Sequence, residues 1–146
     1  MSTEITQDDI FFFSEFEKIT RVMPLEYYQG ETAVFYVVDP EQLGKAIGKN
    51  ATNIERLAKF FRKKVFIIPD VKEIEAFIRA FFSNLNILSI EVRNVMGENS
   101  AIVTLDEQHR GFAIGKNGER IKAAKALLKK RFNADIHLRT KKVFEH

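Results

Sequence analysis

Ile47-Gly48-Lys49-Asn50-Ala51 and Ile114-Gly115-Lys116-Asn117-Gly118 decide how this chain reads. The tetrapeptide Ile-Gly-Lys-Asn occurs in both, and Gly48 and Gly115 lie 67 residues apart in a chain of 146. An internal repeat close to half the chain length points to one small module built twice. Working outward, Gly30–Lys64 aligns without a gap onto Gly97–Arg131, and about a third of the aligned positions are identical. Gly30 meets Gly97, Asp39 meets Asp106 and Gly44 meets Gly111. The stripe Ile54, Leu57, Phe61, Val65 falls onto Ile121, Ala124, Leu128, Phe132 at helical spacing.

Each half reads helix–strand–strand–helix–helix–strand, with the boundary near Pro69-Asp70 and no Gly/Ser-rich or Pro-rich spacer. In the first half, Thr6 and Asp9 form a capping-box pattern, and Ile5 with Ile10 suggests a hydrophobic staple. The run Phe11-Phe12-Phe13 is expected in a core. Val22–Tyr28 and Thr32–Val38 read as a strand pair turning at Gln29-Gly30, and a short helical stretch, 41–47, leads into the glycine turn. Pro69 ends the next strand, and Asp70 with Glu73 is expected to cap a new helix. Leu88, Ile90 and Val92 alternate with Ser89, Glu91 and Arg93, the pattern of a half-buried strand.

The formal net charge of +3 hides an asymmetry. Residues 1–44 carry nine acids against Lys18 and Arg21, whereas 18 of the 23 Lys and Arg fall within 45–64 and 110–142. Cations gathered around the two glycine motifs point to a polyanion partner. The absence of cysteine excludes disulfides and thiolate metal sites and favours the cytoplasm. Met1–Asp9 is polar and acidic, so no secretory signal is expected, and no apolar run reaches membrane-spanning length. His109, His137 and His146 lack metal-ligand spacing, and no nucleophile–base arrangement stands out. An enzyme, a cofactor and a small-molecule substrate are therefore not expected.

A glycine turn that opens a helix, with a lysine beside it, suits a phosphodiester. Glycine permits close approach, the helix start offers N–H groups and the positive end of its dipole, and Lys49 or Lys116 adds a cation. Ala46, Ile47, Ala113 and Ile114 are candidates to line an adjoining apolar groove. A Walker A loop is excluded, because three residues rather than four separate Gly44 from Gly48 and Asn follows each lysine. The Rossmann fingerprint also fails for want of Gly-x-Gly.

Ile114-Gly115-Lys116-Asn117-Gly118, followed by Ile121, resembles the Ile-Gly-x-x-Gly signature of the KH domain, and the element order resembles the type II topology. Two such units in tandem, residues 1–69 and 70–146, resemble the archaeal NusA-like transcription factors. The resemblance implies an α+β fold of two type II KH domains, each with a three-stranded sheet packed on helices. It implies binding of single-stranded RNA, each loop clamping the backbone of about four nucleotides. The RNA would be nascent transcript and the larger partner RNA polymerase, in elongation or termination. The site residues implied are Gly48, Lys49 and Asn50 in the first unit and Gly115, Lys116, Asn117, Gly118, Arg120 and Lys122 in the second. Ala51 stands where the last glycine of the motif belongs, and Glu55 where the second unit has Lys122. The second unit is thus expected to be the stronger binder. The alternative is a KH-fold protein-interaction scaffold with weak RNA contact, for which the acidic, Phe-rich N-terminal region would supply a surface.

Overall fold

The computed structural model of the chain describes residues 4–143. The chain divides into two compact units, Met1–Asp70 and Val71–His146. Asp70 groups with the first unit because its N–H continues the sheet, donating to Val38 O at 2.7 Å.

The first unit runs α1 (Gln7–Thr20), β1 (Glu26–Gln29), β2 (Ala33–Val38), α2 (Leu43–Ile47), α3 (Thr52–Phe61) and β3 (Lys64–Pro69). β2 is the central strand, antiparallel to β1 and parallel to β3. Parallel neighbours need a crossover connection, and α2, the glycine turn and α3 make it. The turn is therefore part of the crossover itself. All six residues of β2 are buried. Val34, Tyr36 and Val38 meet Phe12 and Phe16 of α1, Ala46 of α2 and Leu57 of α3 in one cluster. The Tyr36 phenol is satisfied inside it, donating to Phe12 O at 2.8 Å, and its ring lies 4.2 Å from that of Phe16.

The second unit runs α4 (Ile74–Phe81), β4 (Ile87–Val95), β5 (Glu98–Asp106), α5 (Arg110–Ile114), α6 (Glu119–Phe132) and β6 (Ala134–Lys141). Its sheet repeats the first, with β5 central, antiparallel to β4 and parallel to β6. Met96 and Gly97 both have positive φ, 55° and 83°, as a two-residue hairpin turn between twisted strands requires. Ala101, Val103 and Leu105 of β5, Ile136 of β6 and Ala123, Ala124, Leu127 and Leu128 of α6 are buried. Phe77 of α4 meets Phe132 of α6 with ring centroids 5.4 Å apart. The fold is α+β with two three-stranded sheets, each packed with helices.

Several local expectations need correction. The Thr6–Asp9 capping box forms, with both hydrogen bonds at 3.0 Å, yet Ile5 and Ile10 of the expected staple stay exposed. Of the Phe11–Phe13 run, Phe12 enters the core, Phe13 is half-buried and Phe11 is exposed. Val65 lies in β3, not on the α3 stripe. The cap of α4 is Glu73, whose carboxylate accepts from Ala76 N at 3.3 Å, rather than Asp70. β4, an edge strand with a bulge between Ile87 and Ser89, is mostly exposed on both faces. Only Ile87 and Ile90 are half-buried, while Leu88 and Val92 face water. His109 Nδ1 accepts from Asn86 N at 2.7 Å, His137 is exposed and His146 lies outside the described residues.

Leu57 is fully buried at the centre of the first core. Leu57→Ala should destabilise the first unit by about 2–5 kcal/mol in urea unfolding, as buried leucine truncations do.

Candidate nucleic-acid interface

The two glycine turns are built alike, residue by residue. α2 ends where Gly48 takes φ 80°, ψ 162°, with Gly48 N donating to Gly44 O at 3.0 Å. α5 ends where Gly115 takes φ 77°, ψ 172°, with Gly115 N donating to Gly111 O at 2.9 Å. A single 3-10 turn follows, Lys49–Ala51 or Lys116–Gly118. It is closed by Ala51 N to Gly48 O and by Gly118 N to Gly115 O, both at 3.1 Å. Asn50 and Asn117 sit in the left-handed region at φ 56° and 57°. So do Ala51 at φ 59° and Gly118 at φ 73°, which immediately precede α3 and α6.

Two different constraints act on the two glycine positions of the motif. A Cβ on Gly48 would lie 2.9 Å from Asn53 Cγ and 3.0 Å from Asn53 N, and one on Gly115 would lie 2.8 Å from Arg120 Cβ and 3.0 Å from Arg120 N. Those contacts involve backbone at the start of the following helix, so neither side can give way. At Gly118 the nearest atom to an added Cβ is Lys122 Cε at 3.7 Å, so space is available and only the positive φ argues for glycine. Ala51 therefore fits sterically, at the cost of an L-residue in the left-handed region, about 1–2 kcal/mol. Thr52 Oγ1 donates to Lys49 O and braces that turn.

Side chains sort into those that hold the turn and those that face water. Asn53 Nδ2 donates to Lys45 O at 3.1 Å. Arg120, at the matching position, donates through Nη1 to Phe112 O at 3.2 Å. Asn53 and Arg120 tie the helix after the turn to the corresponding carbonyl of the helix before it. Arg120 Nη2 also reaches Phe81 O at 3.3 Å and Asn84 Oδ1 at 3.1 Å, and the guanidinium lies 5.4 Å from the Phe82 ring. It is only 7% exposed, and burial pulls its pKa below the ordinary arginine value. Arg120 is thus a structural tie and is not presented to a ligand. Ala46 and Ala113 are fully buried and line no groove. Ile47 and Ile114 are half-buried.

Lys49, Asn50, Lys116 and Asn117 are exposed at the tips, and Gly48, Gly115 and Gly118 are half-buried beneath them. Lys122 is exposed with its Cε close to Gly118, so it adds a second cation beside the second turn. Glu55 is exposed at the equivalent place on α3. Phe112, 65% exposed on α5 and three residues before Gly115, is an apolar neighbour of the turn that sequence reasoning missed. Its counterpart Lys45 gave no hint, since the repeat is not kept there. The tie made by Asn53 and Arg120 was also missed, although a polar residue at that position in both halves was the available signal. Among the described residues, no group of three or more His, Cys, Asp or Glu could hold a metal, and no helix is long and apolar enough to cross a membrane.

The KH domain family model matches residues 73–145, the second unit. The chain is 28% identical over 126 residues to the "Probable transcription termination protein NusA" of Methanocaldococcus jannaschii, covering 86% of this chain and 69% of that one. The protein of the same name from Thermoplasma acidophilum is 25% identical over 134 residues, covering 90% and 93%. A solved structure described as the crystal structure of APE1850 aligns with a TM-score of 0.72 at 26% identity, covering 94% of this chain and 100% of that one. The chain belongs to the KH domain family and, within it, to the archaeal NusA-like kind.

Three substitutions separate the constraints on the turn. Gly118→Ala should destabilise the second unit by about 1 kcal/mol, and Gly115→Ala by clearly more, because its Cβ meets backbone. Ala51→Gly should stabilise the first unit by up to about 1 kcal/mol, less what glycine adds to the freedom of the unfolded chain. Urea unfolding of the three variants checks the order. Arg120→Gln should lower stability, yet leave any RNA affinity of the folded protein within about twofold, as expected for a buried tie with no ligand contact.

Proposed function

We propose that the chain binds single-stranded RNA through its glycine turns, the second more firmly than the first, and that it acts on nascent transcript beside RNA polymerase. The observation that carries this reading is the pairing of an exposed lysine and asparagine with a left-handed turn at a helix start, in both units. The turn lets a sugar-phosphate approach backbone N–H groups, the helix dipole favours its charge, and the lysine neutralises it. The KH family and relatives named as transcription termination proteins support the same reading. We take the residues in contact to be Gly48, Lys49, Asn50, Gly115, Lys116, Asn117, Gly118 and Lys122, within KH domains spanning 1–69 and 70–146. The function is binding, without a catalytic step or cofactor, in the cytoplasm.

The ranking of the two units follows from charge more than from backbone. The strained Ala51 keeps the same conformation as Gly118, so the first turn is intact in shape. It differs in having Glu55 where the second has Lys122, and a carboxylate beside a phosphate opposes binding.

Lys116→Asp with Asn117→Asp should abolish measurable RNA binding in a fluorescence-anisotropy titration while circular dichroism stays unchanged. The same pair at Lys49 and Asn50 should cost less. Affinity should fall with salt, and each phosphate contact removed should flatten the log–log slope by about 0.7, the single-strand value. Unchanged affinity in a folded Lys116/Asn117 variant would favour the scaffold alternative.

A further inference from the structure

α1 turns Phe12, Phe16 and Thr20 into the first core and leaves another side to water. On that side Ile10 is 59% exposed, Met23 just beyond the helix is 59% exposed and Ile5 ahead of it is 76% exposed. Ile5, Ile10, Phe13 and Met23 wall one groove of about 360 Å³, and its other lining residues are Asp9, Ser14 and Glu17. Phe11 on the same helix is exposed too and meets Phe60, another exposed ring, at 5.9 Å. Single exposed apolar residues are ordinary, but a contiguous set around a groove marks an interaction surface. None of these residues belongs to either glycine turn.

Charge decides what the groove takes. Among the described residues no Lys or Arg lines it, while Asp9 and Glu17 do. The segment that builds it, residues 5–23, carries Asp8, Asp9, Glu15 and Glu17 against Lys18 and Arg21, and Lys18 is held by Glu15 at 3.3 Å. Asp9 is fixed in place, accepting Thr6 N–H at 3.0 Å and the Tyr27 hydroxyl at 2.6 Å, so its charge stands at a defined point on the wall. Nucleic acid and anionic lipid are repelled by such a surface. An amphipathic helix fits, with apolar side chains in the groove and cations against Asp9 and Glu17.

We propose that this face of α1 is a protein-docking groove whose occupant is an amphipathic peptide segment with apolar anchors flanked by Lys or Arg. The RNA-directed turns and the protein-directed groove then divide two partners between separate surfaces of opposite charge. The proposal stands on the groove and its charge, whatever the turns bind.

The test is NMR titration of the full chain with a synthetic amphipathic Leu/Lys helix, its Leu/Glu counterpart and a single-stranded oligoribonucleotide. The Leu/Lys peptide should shift amides of Ile10, Phe13, Glu17 and Met23, and Met23→Asp, at an exposed site, should weaken it at least tenfold. Glu17→Lys, also exposed, should weaken the Leu/Lys peptide and admit the Leu/Glu one. Equal binding of both peptides, shifts centred elsewhere, no response to either substitution, or the oligoribonucleotide seated in the groove would overturn the proposal. So would self-association of the chain alone in sedimentation that Met23→Asp abolishes, since a second copy would then be the occupant.

Discussion

Gly48 and Gly115 stand so close to the start of the helix that follows that a Cβ would press on its backbone. The rest of each unit depends on that approach. It lets a short helix stop, a single turn reverse the chain and a long helix begin within a few residues. That compact crossover is what allows β3 to lie parallel to β2, and β6 to lie parallel to β5. The same approach puts a left-handed asparagine and a lysine at the exposed tip of the turn. Fold and candidate site are thus set by one constraint, and the tie from Asn53 or Arg120 to the preceding helix holds it.

The cations of the chain divide by what they touch. Lys63 donates to Gly30 O at 2.8 Å and to Gln29 Oε1 at 3.2 Å, fastening the end of α3 to the β1–β2 turn. Arg120 is buried among carbonyls. Lys129, Lys130 and Arg131 occupy the last turn of α6, where cations offset the helix dipole. Lys49, Lys116 and Lys122 remain at the turns in water. Counting basic residues therefore overstates the electrostatic footprint, and the few cations at the turns carry most of the argument for a phosphate ligand.

The repeat, the element order and the location of the turns were legible in the sequence, because each depends on local spacing and on glycine at fixed offsets. Burial set by distant partners was not. Arg120 reads as a loop cation until the end of α4 and the turn after it supply Phe81 O and Asn84 to receive it. Leu88 and Val92 alternate like core residues, but nothing in that pattern tells whether another element covers them, and both stay exposed. Ala46 and Ala113 look like groove residues from their place beside the motif and prove to be the packing contacts that seat the short helices. Ala51 was legible as a departure, and the backbone angles supply its meaning: a strained copy of the same turn, not a different one.

The most direct test of the account is to follow the backbone amides of the two turns by NMR as a single-stranded oligoribonucleotide is added to the full chain. Saturable shifts of Lys116, Asn117 and Gly118, reached at lower RNA concentration than those of Lys49, Asn50 and Ala51, are predicted. Amides of both turns that stay fixed while RNA binds elsewhere would contradict it.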